Sequence, residues 1–487
     1  MKLAALIEGL ATHRTGPQPD LAELTSDSRE VAPGWAFLAL KGEHADGAAF
    51  VPQALARGAS AVFSEQPLEL PERVAGCTFL GEPRLRMAEL AKRLHGAPDE
   101  KLALIGVTGT NGKTTTTTLI RQLMQGAGLG CGLVGTVLNA AGGQEEEAVR
   151  TTPESPAFYR WLHRSVEAGD RASAVEVSSH ALCLGRVHGA RFTVGVFTNL
   201  TQDHLDYHGT LEAYFQAKLR LADQSARFLV NADDPWGRRI LEARPEARNY
   251  GLEQPAATYR ATEVALGPTG TRFQLEAPGG RWTIQSPLLG RFNVSNLLAA
   301  LAACAEAGFS LEPLVDAVAG VTGAPGRLER VDCGQPFGVM VDYAHTPDAL
   351  EKLLAEGRRL LPEGGRLHVL FGCGGDRDRA KRPLMAAAVA AGADVIWHTS
   401  DNPRTEDPER ILDDAAPGIP EGLRQNAARY HRLADRRESV RRALADCRPG
   451  DLLLLAGKGH EPYQEIHGVK HPYSDRMAVE SALGARP

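Results

Sequence analysis

The stretch Thr108-Gly109-Thr110-Asn111-Gly112-Lys113-Thr114 lies between an apolar run, LALIGV, and a helical one, LIRQLM. A strand, a glycine loop and a helix in that order form a cradle for phosphate. Glycines let backbone N–H groups approach the phosphate oxygens, and the helix N-terminus adds favourable positive potential. Lys113 is spaced to reach the β- and γ-phosphates of a nucleotide, and the Thr114 hydroxyl to reach Mg2+. The usual pattern begins with a glycine at position 107, where this chain has Val107, so the string departs while the physical context holds. A glycine turn that binds nothing is the plain alternative, and GKT opening a helix argues against it. The run Thr114–Thr118 is β-branched and poor for helix, but LIRQLM carries the helix on. A nucleoside triphosphate site is expected here.

Three further side chains could meet those phosphates. Glu176 stands in AVEVSSH between Val175 and Val177. A carboxylate in a buried strand needs a partner or a metal, whereas simple alternation would put it in solvent. His204, in TNLTQDHLDYHGT, has His208 four residues on and Asp203 and Asp206 beside it. A metal pair on a helix and a hydrogen-bonded polar loop both remain open. Lys218, in LEAYFQAKLRL, falls on the apolar side of a helix with Tyr214, Phe215 and Leu219. Buried and unpaired it would be costly, and the commoner outcome is to snorkel outward.

Positioning these residues requires an α/β scaffold. In residues 1–97 short apolar runs (WAFLAL, SAVFSE, CTFL) alternate with helical ones (FVPQALARGA, RLRMAELAKRL), a small α/β unit. The opening MKLAALIEGLATHR reads as an amphipathic helix and not a leader. HGAPDEK, residues 95–101, reads as a short polar linker. ASAVEVSS, FTVGVFTNL and ARFLVNADD, separated by helical runs, predict a mostly parallel sheet with helices on its faces. The pattern breaks near Gly323–Arg327. The expected domains are therefore 1–97, 98–325 and 326–487. In the last, FGVMVDYAHTPD, LHVLFGCGGDRD, DVIWHTSDNPRTEDP and DLLLLAGKGHE each run from an apolar strand into a polar loop. Ligands of open α/β sheets gather beyond the carboxyl ends of strands, so all four loops are candidate binding loops.

Bulk properties exclude several classes. A net charge of −6 argues against a nucleic-acid footprint. Seven cysteines without CxxC pairing fit reduced thiols better than a disulfide framework or a zinc site. No run approaches the roughly 20 apolar residues that span a bilayer. A cytoplasmic monomer with no membrane or nucleic-acid partner is expected.

With TGTNGKTT, EVSSHAL, FTNLTQDHLDYHG, YFQAK, GRFNVSN, GRLERV, DYAHTPDAL, GGDRDRAKRP, DNPRTEDP and GKGHE in order, the chain closely resembles the Mur ligases. The resemblance runs from Asp27-Ser28-Arg29 to Tyr473-Ser474-Asp475-Arg476. It implies an N-terminal domain that binds the UDP part of the substrate, a central P-loop ATPase and a C-terminal Rossmann-like domain that receives an amino acid. The implied substrates are ATP, UDP-MurNAc-L-Ala-D-Glu and meso-diaminopimelate, with Mg2+ as cofactor. Ser26, Ser28 and Glu43-His44-Ala45 fall where the family grips the uridine nucleotide. Thr151, Thr152, Ser178 and Arg186 match positions that hold the muramoyl-dipeptide, and some relatives carry Gln where this chain has Leu184. Thr115 joins the loop residues, and Asn293, Asn296, Arg327 and Asp342 lie in motifs that contact adenine, phosphate or ribose. Taken singly, Asn293 and Asn296 would read as helix caps. Lys218 matches the lysine that CO2 converts into a carbamate (N6-carboxylysine), which with Thr114, Glu176 and His204 makes up the metal and catalytic group beside Lys113. The implied chemistry is an acyl phosphate formed from the D-glutamyl γ-carboxylate and then attacked by an amine.

Asp401-Asn402-Pro403-Arg404 bears on which amine. Meso-diaminopimelate carries a second amino and carboxyl pair at its far end, whereas lysine has only the amine. A carboxylate there suits a planar bidentate donor, so Arg404 is the expected clamp. Arg377, Gly457 and Glu461 match the other family positions around this amino acid, Glu461 suiting the far ammonium. A plain Asx-Pro turn is the alternative for DNPR. Rival readings are the same chemistry with L-lysine or another diamino acid, ligases that add D-Ala-D-Ala or extend folate with glutamate, a P-loop kinase, and a nucleotide-sensing switch.

Overall fold

The computed structural model describes residues 1–42, 45–267 and 269–484, and is mixed α/β throughout. Its contacts divide it into two compact units: 1–264 with 272–286 and 292–321, and 265–271 with 287–291 and the chain from Thr322 onward.

The first unit holds two sheets. The smaller runs in the order Ala11–Thr15, Ala75–Phe79, Ala61–Ser64, Trp35–Ala39, Glu23–Thr25, antiparallel at the first pair and parallel elsewhere. The opening helix is shorter than the sequence suggests, spanning Leu3–Ile7. Gly9 turns at φ 72°, a conformation that ends a helix, and the chain continues as the strand Ala11–Thr15. The larger sheet has a parallel centre in the order Cys131–Val134, Ala172–Glu176, Ala103–Thr108, Phe192–Phe197, Ser225–Asn231, Arg248–Gly251. Strands that the sequence pattern missed extend it: the antiparallel Leu138–Ala141 and Gln144–Glu147 on one side, and Gly270–Ala277 with Gly280–Ser286 beyond Tyr259–Gly267 on the other. Gln144–Glu147 is exposed along its whole length and acidic, which leaves it no apolar face to betray a strand.

The segment 95–101 is a packed joint and not a loose tether. His95 and Asp99 are buried; His95 meets Glu23 at 3.1 Å, and Asp99 accepts from Lys92 Nζ at 2.8 Å and from the Arg191 amide at 2.9 Å. Leu6, Phe63, Met87, Phe158 and Phe192 belong to one continuous core, so the small sheet and the large one stand on common apolar ground.

The main sheet of the second unit runs in the order Glu329–Arg330, Gly338–Asp342, Leu452–Ala456, Leu367–Phe371, Val395–His398, Tyr430–Arg432, antiparallel only at the first pair. The four strands read from sequence are its interior. Tyr430–Arg432 and the hairpin Tyr463–Ile466/Val469–Pro472 were not read, being short and without a buried face.

Arg436 and Asp475 form an ion pair with both side chains fully buried, at 2.6 and 2.8 Å. Tyr473 OH donates to the same carboxylate at 2.8 Å, and Arg436 also donates to the carbonyls of Ser400 and Ala456. Those carbonyls stand immediately before Asp401 and Gly457, so the pair fixes where two binding loops leave the sheet. Removing one partner strands a buried charge. Asp475→Ala is expected to destabilise the protein by about 3–5 kcal/mol, read as a lowered urea midpoint, while an exposed pair such as Lys352–Asp348 should move it by less than about 1 kcal/mol.

Candidate active site

The phosphate loop is held by the turn that follows the neighbouring strand. Thr110 donates its amide to the Asn199 carbonyl at 2.9 Å, and the Asn111 amide donates to Asn199 Oδ1 at 2.9 Å. Thr198 Oγ1 donates to the Asn111 carbonyl at 2.6 Å, and the Thr201 amide to Thr110 Oγ1 at 3.0 Å. Gly109 sits at φ 146°, and a Cβ there would lie 1.9 Å from Thr198 Oγ1. Gly112, at φ 85°, opens the helix Lys113–Gly126, and a Cβ there would lie 2.6 Å from Asn296 Oδ1. Both glycines are required by close approach as well as by dihedral. Lys113 Nζ donates back to the Gly109 and Thr110 carbonyls at 2.9 Å each. Asn293 and Asn296 stand two and five residues past the first helical residue, Arg291. They lie within Arg291–Glu306, where Asn296 Nδ2 donates to Asn293 Oδ1 at 3.2 Å, and Asn296 faces the phosphate loop.

Glu176 ends the strand Ala172–Glu176 and is buried. It receives the Thr114 hydroxyl at 2.9 Å, the Thr136 amide at 2.7 Å and the Thr136 hydroxyl at 3.0 Å. Its partners are neutral donors, so the charge is hydrogen-bonded without an ion pair. Thr115 is buried one residue further along the helix.

Lys218 is buried and does not snorkel. Its helix, Leu211–Asp223, is capped by Thr210, whose side chain accepts from the Ala213 amide. Lys218 Nζ donates to the Gly109 carbonyl at 2.7 Å and stands 4.4 Å over the Tyr214 ring. Burial, and then the Lys113 charge, hold its amine well below the ordinary lysine range. His204 has φ 52° and precedes the single turn Leu205–His208, so His204 and His208 are not a pair along one helix. His204, His180 and His208 cluster, with ring centroids 4.9 and 5.5 Å from His180, and burial lowers all three pKa values. Among the described residues no three His, Cys, Asp or Glu side chains converge as a ready metal site.

Beside Glu176, Thr152 Oγ1 donates to its carbonyl at 2.7 Å and receives the Ser178 amide at 3.1 Å. Thr151 meets Thr136 at 3.1 Å, and Arg186 donates to the Thr152 carbonyl at 3.1 Å. Thr151, Thr152, Ser178 and Arg186 thus form one wall next to the phosphate loop. Ser26 and Ser28 follow the strand Glu23–Thr25, Ser28 donating to Gln53 at 2.6 Å; Ala45 follows the parallel strand Trp35–Ala39 and is exposed. Glu43 and His44 lie outside the described residues.

In the second unit, Asp342 accepts from the Leu328 and Ala344 amides at 2.7 and 2.8 Å, and burial raises its pKa against the pull of Arg327. The Arg327 guanidinium lies 4.8 Å over the Tyr343 ring. Arg404, at φ 53°, donates to the Gly375 carbonyl at 2.6 Å. A Cβ on Gly374 would stand 3.1 Å from Arg404 Nη1 and 3.6 Å from Arg377 Cγ, so both arginines flank one glycine. Pro403 packs there too: a Cβ on Gly375 would strike its carbonyl at 1.9 Å. Asn402 Nδ2 donates to Glu461 at 2.7 Å, and Gly457, at φ 110°, lies beside Asp401. The side chains of Asp401, Asn402 and Glu461 meet on the buried Lys458. Sequence reasoning passed over Lys458, Thr136, Thr198 and Asn199. Lys458 lay within a quoted motif, but only its burial distinguishes it.

A phosphate loop, a buried carboxylate and lysine beside it, and a separate unit with paired charges at strand ends define a nucleotide-driven ligase. Profiles of the Mur ligase family match three stretches: its catalytic domain at 21–93, its middle domain at 107–304 and its glutamate ligase domain at 326–459. The chain is 45% identical over its full length, and the full length of the relative, to the UDP-N-acetylmuramoyl-L-alanyl-D-glutamate–2,6-diaminopimelate ligase of Geobacillus thermodenitrificans. It is 45% identical to the protein of the same name from Gloeobacter violaceus, covering 98% of this chain and 96% of that one. A solved structure of a ligase of that name superposes with TM-score 0.69 at 38% identity, covering 100% of this chain and 99% of that one. The chain belongs to the Mur ligase family. It is an ATP-dependent ligase.

Gly109→Ala should weaken ATP binding at least about tenfold in calorimetric titration, because the methyl meets Thr198 and spoils the cradle. Gly128→Ala, also at positive φ but with open space around it, should leave ATP affinity unchanged.

Proposed function

We propose that the protein joins meso-2,6-diaminopimelate to the D-glutamyl γ-carboxylate of UDP-MurNAc-L-Ala-D-Glu at the expense of ATP, giving the UDP-MurNAc-tripeptide for peptidoglycan synthesis. The observation that carries it is the convergence of Arg377 and Arg404 beside Gly374, with the Glu461 carboxylate joined to the Asp401–Arg404 loop through Asn402. Such a pocket matches an amino acid whose far end bears both a carboxylate and an ammonium. Full-length relatives at 45% identity that bear the name of this reaction support the reading. The work divides over residues 1–97 for the uridine nucleotide, 98–325 for ATP and 326–487 for the amino acid.

A carboxylate is a poor acyl donor until one of its oxygens becomes a good leaving group. The γ-carboxylate attacks the γ-phosphorus of ATP, ADP departs, and an acyl phosphate results. The amine then attacks the acyl carbon, and the tetrahedral intermediate expels phosphate. The protein's part is positioning and charge neutralisation. Lys113, whose amine donates to the loop carbonyls, swings to the phosphates. Thr151, Thr152, Ser178 and Arg186 hold the dipeptide's carboxylate against the phosphate loop.

Mg2+ prefers oxygen donors, and the Thr114 hydroxyl and Glu176 carboxylate, 2.9 Å apart, fit it. An amine does not, but Lys218 as a carbamate would supply oxygens, with His204 nearby as a further ligand. Bound there, Mg2+ would neutralise charge developing on the transferring phosphoryl group. The depressed pKa of Lys218 favours this modification, because the neutral amine is what attacks CO2. With 13C-bicarbonate the protein should show a carbamate resonance near neutral pH that Lys218→Gln abolishes. It should fade on acidification, as the amine is protonated and carbamate decomposes.

Phosphate release from ATP, with UDP-MurNAc-L-Ala-D-Glu present, should require meso-diaminopimelate and stay near background with L-lysine, since an unanswered arginine clamp disfavours the analogue by roughly 10⁴-fold. Release with lysine instead would keep the mechanism and overturn the specificity; no amino-acid-dependent release would sink the reading. Arg404→Ala should lose efficiency mainly through KM for diaminopimelate, and unchanged kinetics would remove Arg404 from the clamp.

A further inference from the structure

Lys458 is fully buried and reaches side chains of two loops that are more than fifty residues apart in the chain. Its Nζ lies 3.4 Å from Asp401 Oδ1, 2.9 Å from Asn402 Oδ1 and 3.1 Å from Glu461 Oε2. Glycines flank it on both sides. Gly457 and Gly459 both have positive φ, and a Cβ on Gly459 would lie 2.7 Å from Tyr343 Cβ. The Asn402 amide is oriented without ambiguity, because Oδ1 accepts from Lys458 and from the Glu465 amide at 2.9 Å while Nδ2 donates to Glu461 at 2.7 Å.

Glu461 therefore receives both donors on one oxygen, Oε2, and among the described residues its Oε1 is left for a ligand. The charges are unbalanced in the same sense. One buried cation faces two carboxylates, Asp401 and Glu461, and the nearby Arg436 is already answered by Asp475. The cluster thus lacks one positive charge, which a single ammonium supplies. Without Lys458 it would hold two unanswered carboxylates. Such a pocket attracts an amine indiscriminately and repels a carboxylate attached to the same carbon.

We propose that Lys458 is a positioning residue that sets amino-acid specificity, by trimming this pocket to the charge that admits an ammonium with a carboxylate beside it. The proposal rests on the reading of the reaction given above. Its consequence is that neutralising Lys458 should harm meso-diaminopimelate more than an amine without the neighbouring carboxylate.

The test is steady-state phosphate release by the full chain with meso-diaminopimelate or L-lysine, for wild type, Lys458→Gln and Lys458→Arg. Lys458→Gln should raise KM for diaminopimelate about tenfold or more and lower the diaminopimelate-to-lysine ratio of kcat/KM by a similar factor. KM for ATP and for the UDP-linked dipeptide should stay within about twofold. Lys458→Arg, which keeps the charge, should recover most of the ratio. An unchanged ratio in Lys458→Gln, or KM values for all three substrates rising together, would overturn the proposal in favour of a merely structural lysine. Lys458→Met, of similar volume, gives the same readout where the Gln variant does not fold. Wild type that releases no phosphate in response to either amino acid would instead remove the underlying reaction.

Discussion

The first unit depends on burying a carboxylate and a lysine amine beside the phosphate loop without pairing either of them with an ion. Glu176 is answered by two threonine hydroxyls and an amide. Lys218 is answered by one carbonyl and the face of a tyrosine. Neither arrangement is a cheap use of a titratable side chain in a protein interior, and burial holds the Lys218 amine well below its ordinary range. Both are held because the surroundings are rigid. The parallel strands Ala172–Glu176 and Ala103–Thr108 pair along their length, and the helix bearing Lys218 packs against the sheet below.

The second unit handles charge differently. Arg436 with Asp475, and Arg382 with Glu406, are tightly paired, and the guanidinium of Arg382 holds the Glu406 carboxyl down to about 2. These pairs tie together the loops carrying Arg377, Asp401, Arg404 and Glu461. Arg382 donates to the Gly374 carbonyl while Glu406 accepts from the Asp376 amide. Thr405 meets the Asp376 carboxylate from the other loop. The groups meant for a substrate are thereby left on a frame whose own charges are already satisfied. Rigid support of this kind is what separates a carboxylate-bearing substrate from one lacking it, because an adaptable pocket would accommodate both.

The sequence made the phosphate loop, the four strand-end loops and the apolar strands legible, because each combines a period of two or a glycine string with a sharp polar boundary. It left Glu176 and Lys218 undecided between burial and exposure, since one charged residue in an apolar run is consistent with either. Packing resolves them. Taken singly, Asn293 and Asn296 would read as helix caps, and only the order of the motifs around them sets them among nucleotide-contacting positions. Sequence reasoning passed over Thr136, which holds Glu176 across 40 residues of chain, and Thr198 and Asn199, which brace the phosphate loop across 87 and 88. Threonine and asparagine are common in loops, so nothing local distinguishes these from ordinary turn residues.

Everything ascribed to the active centre assumes that the carboxylate is activated by phosphoryl transfer. The direct measurement is the fate of its oxygen. With UDP-MurNAc-L-Ala-D-Glu labelled with 18O in the γ-carboxylate, turnover with ATP and meso-diaminopimelate should place one 18O atom in each phosphate released. Phosphate free of label, with tripeptide still formed, would mean that no acyl phosphate lies on the path, and would contradict this account of the site.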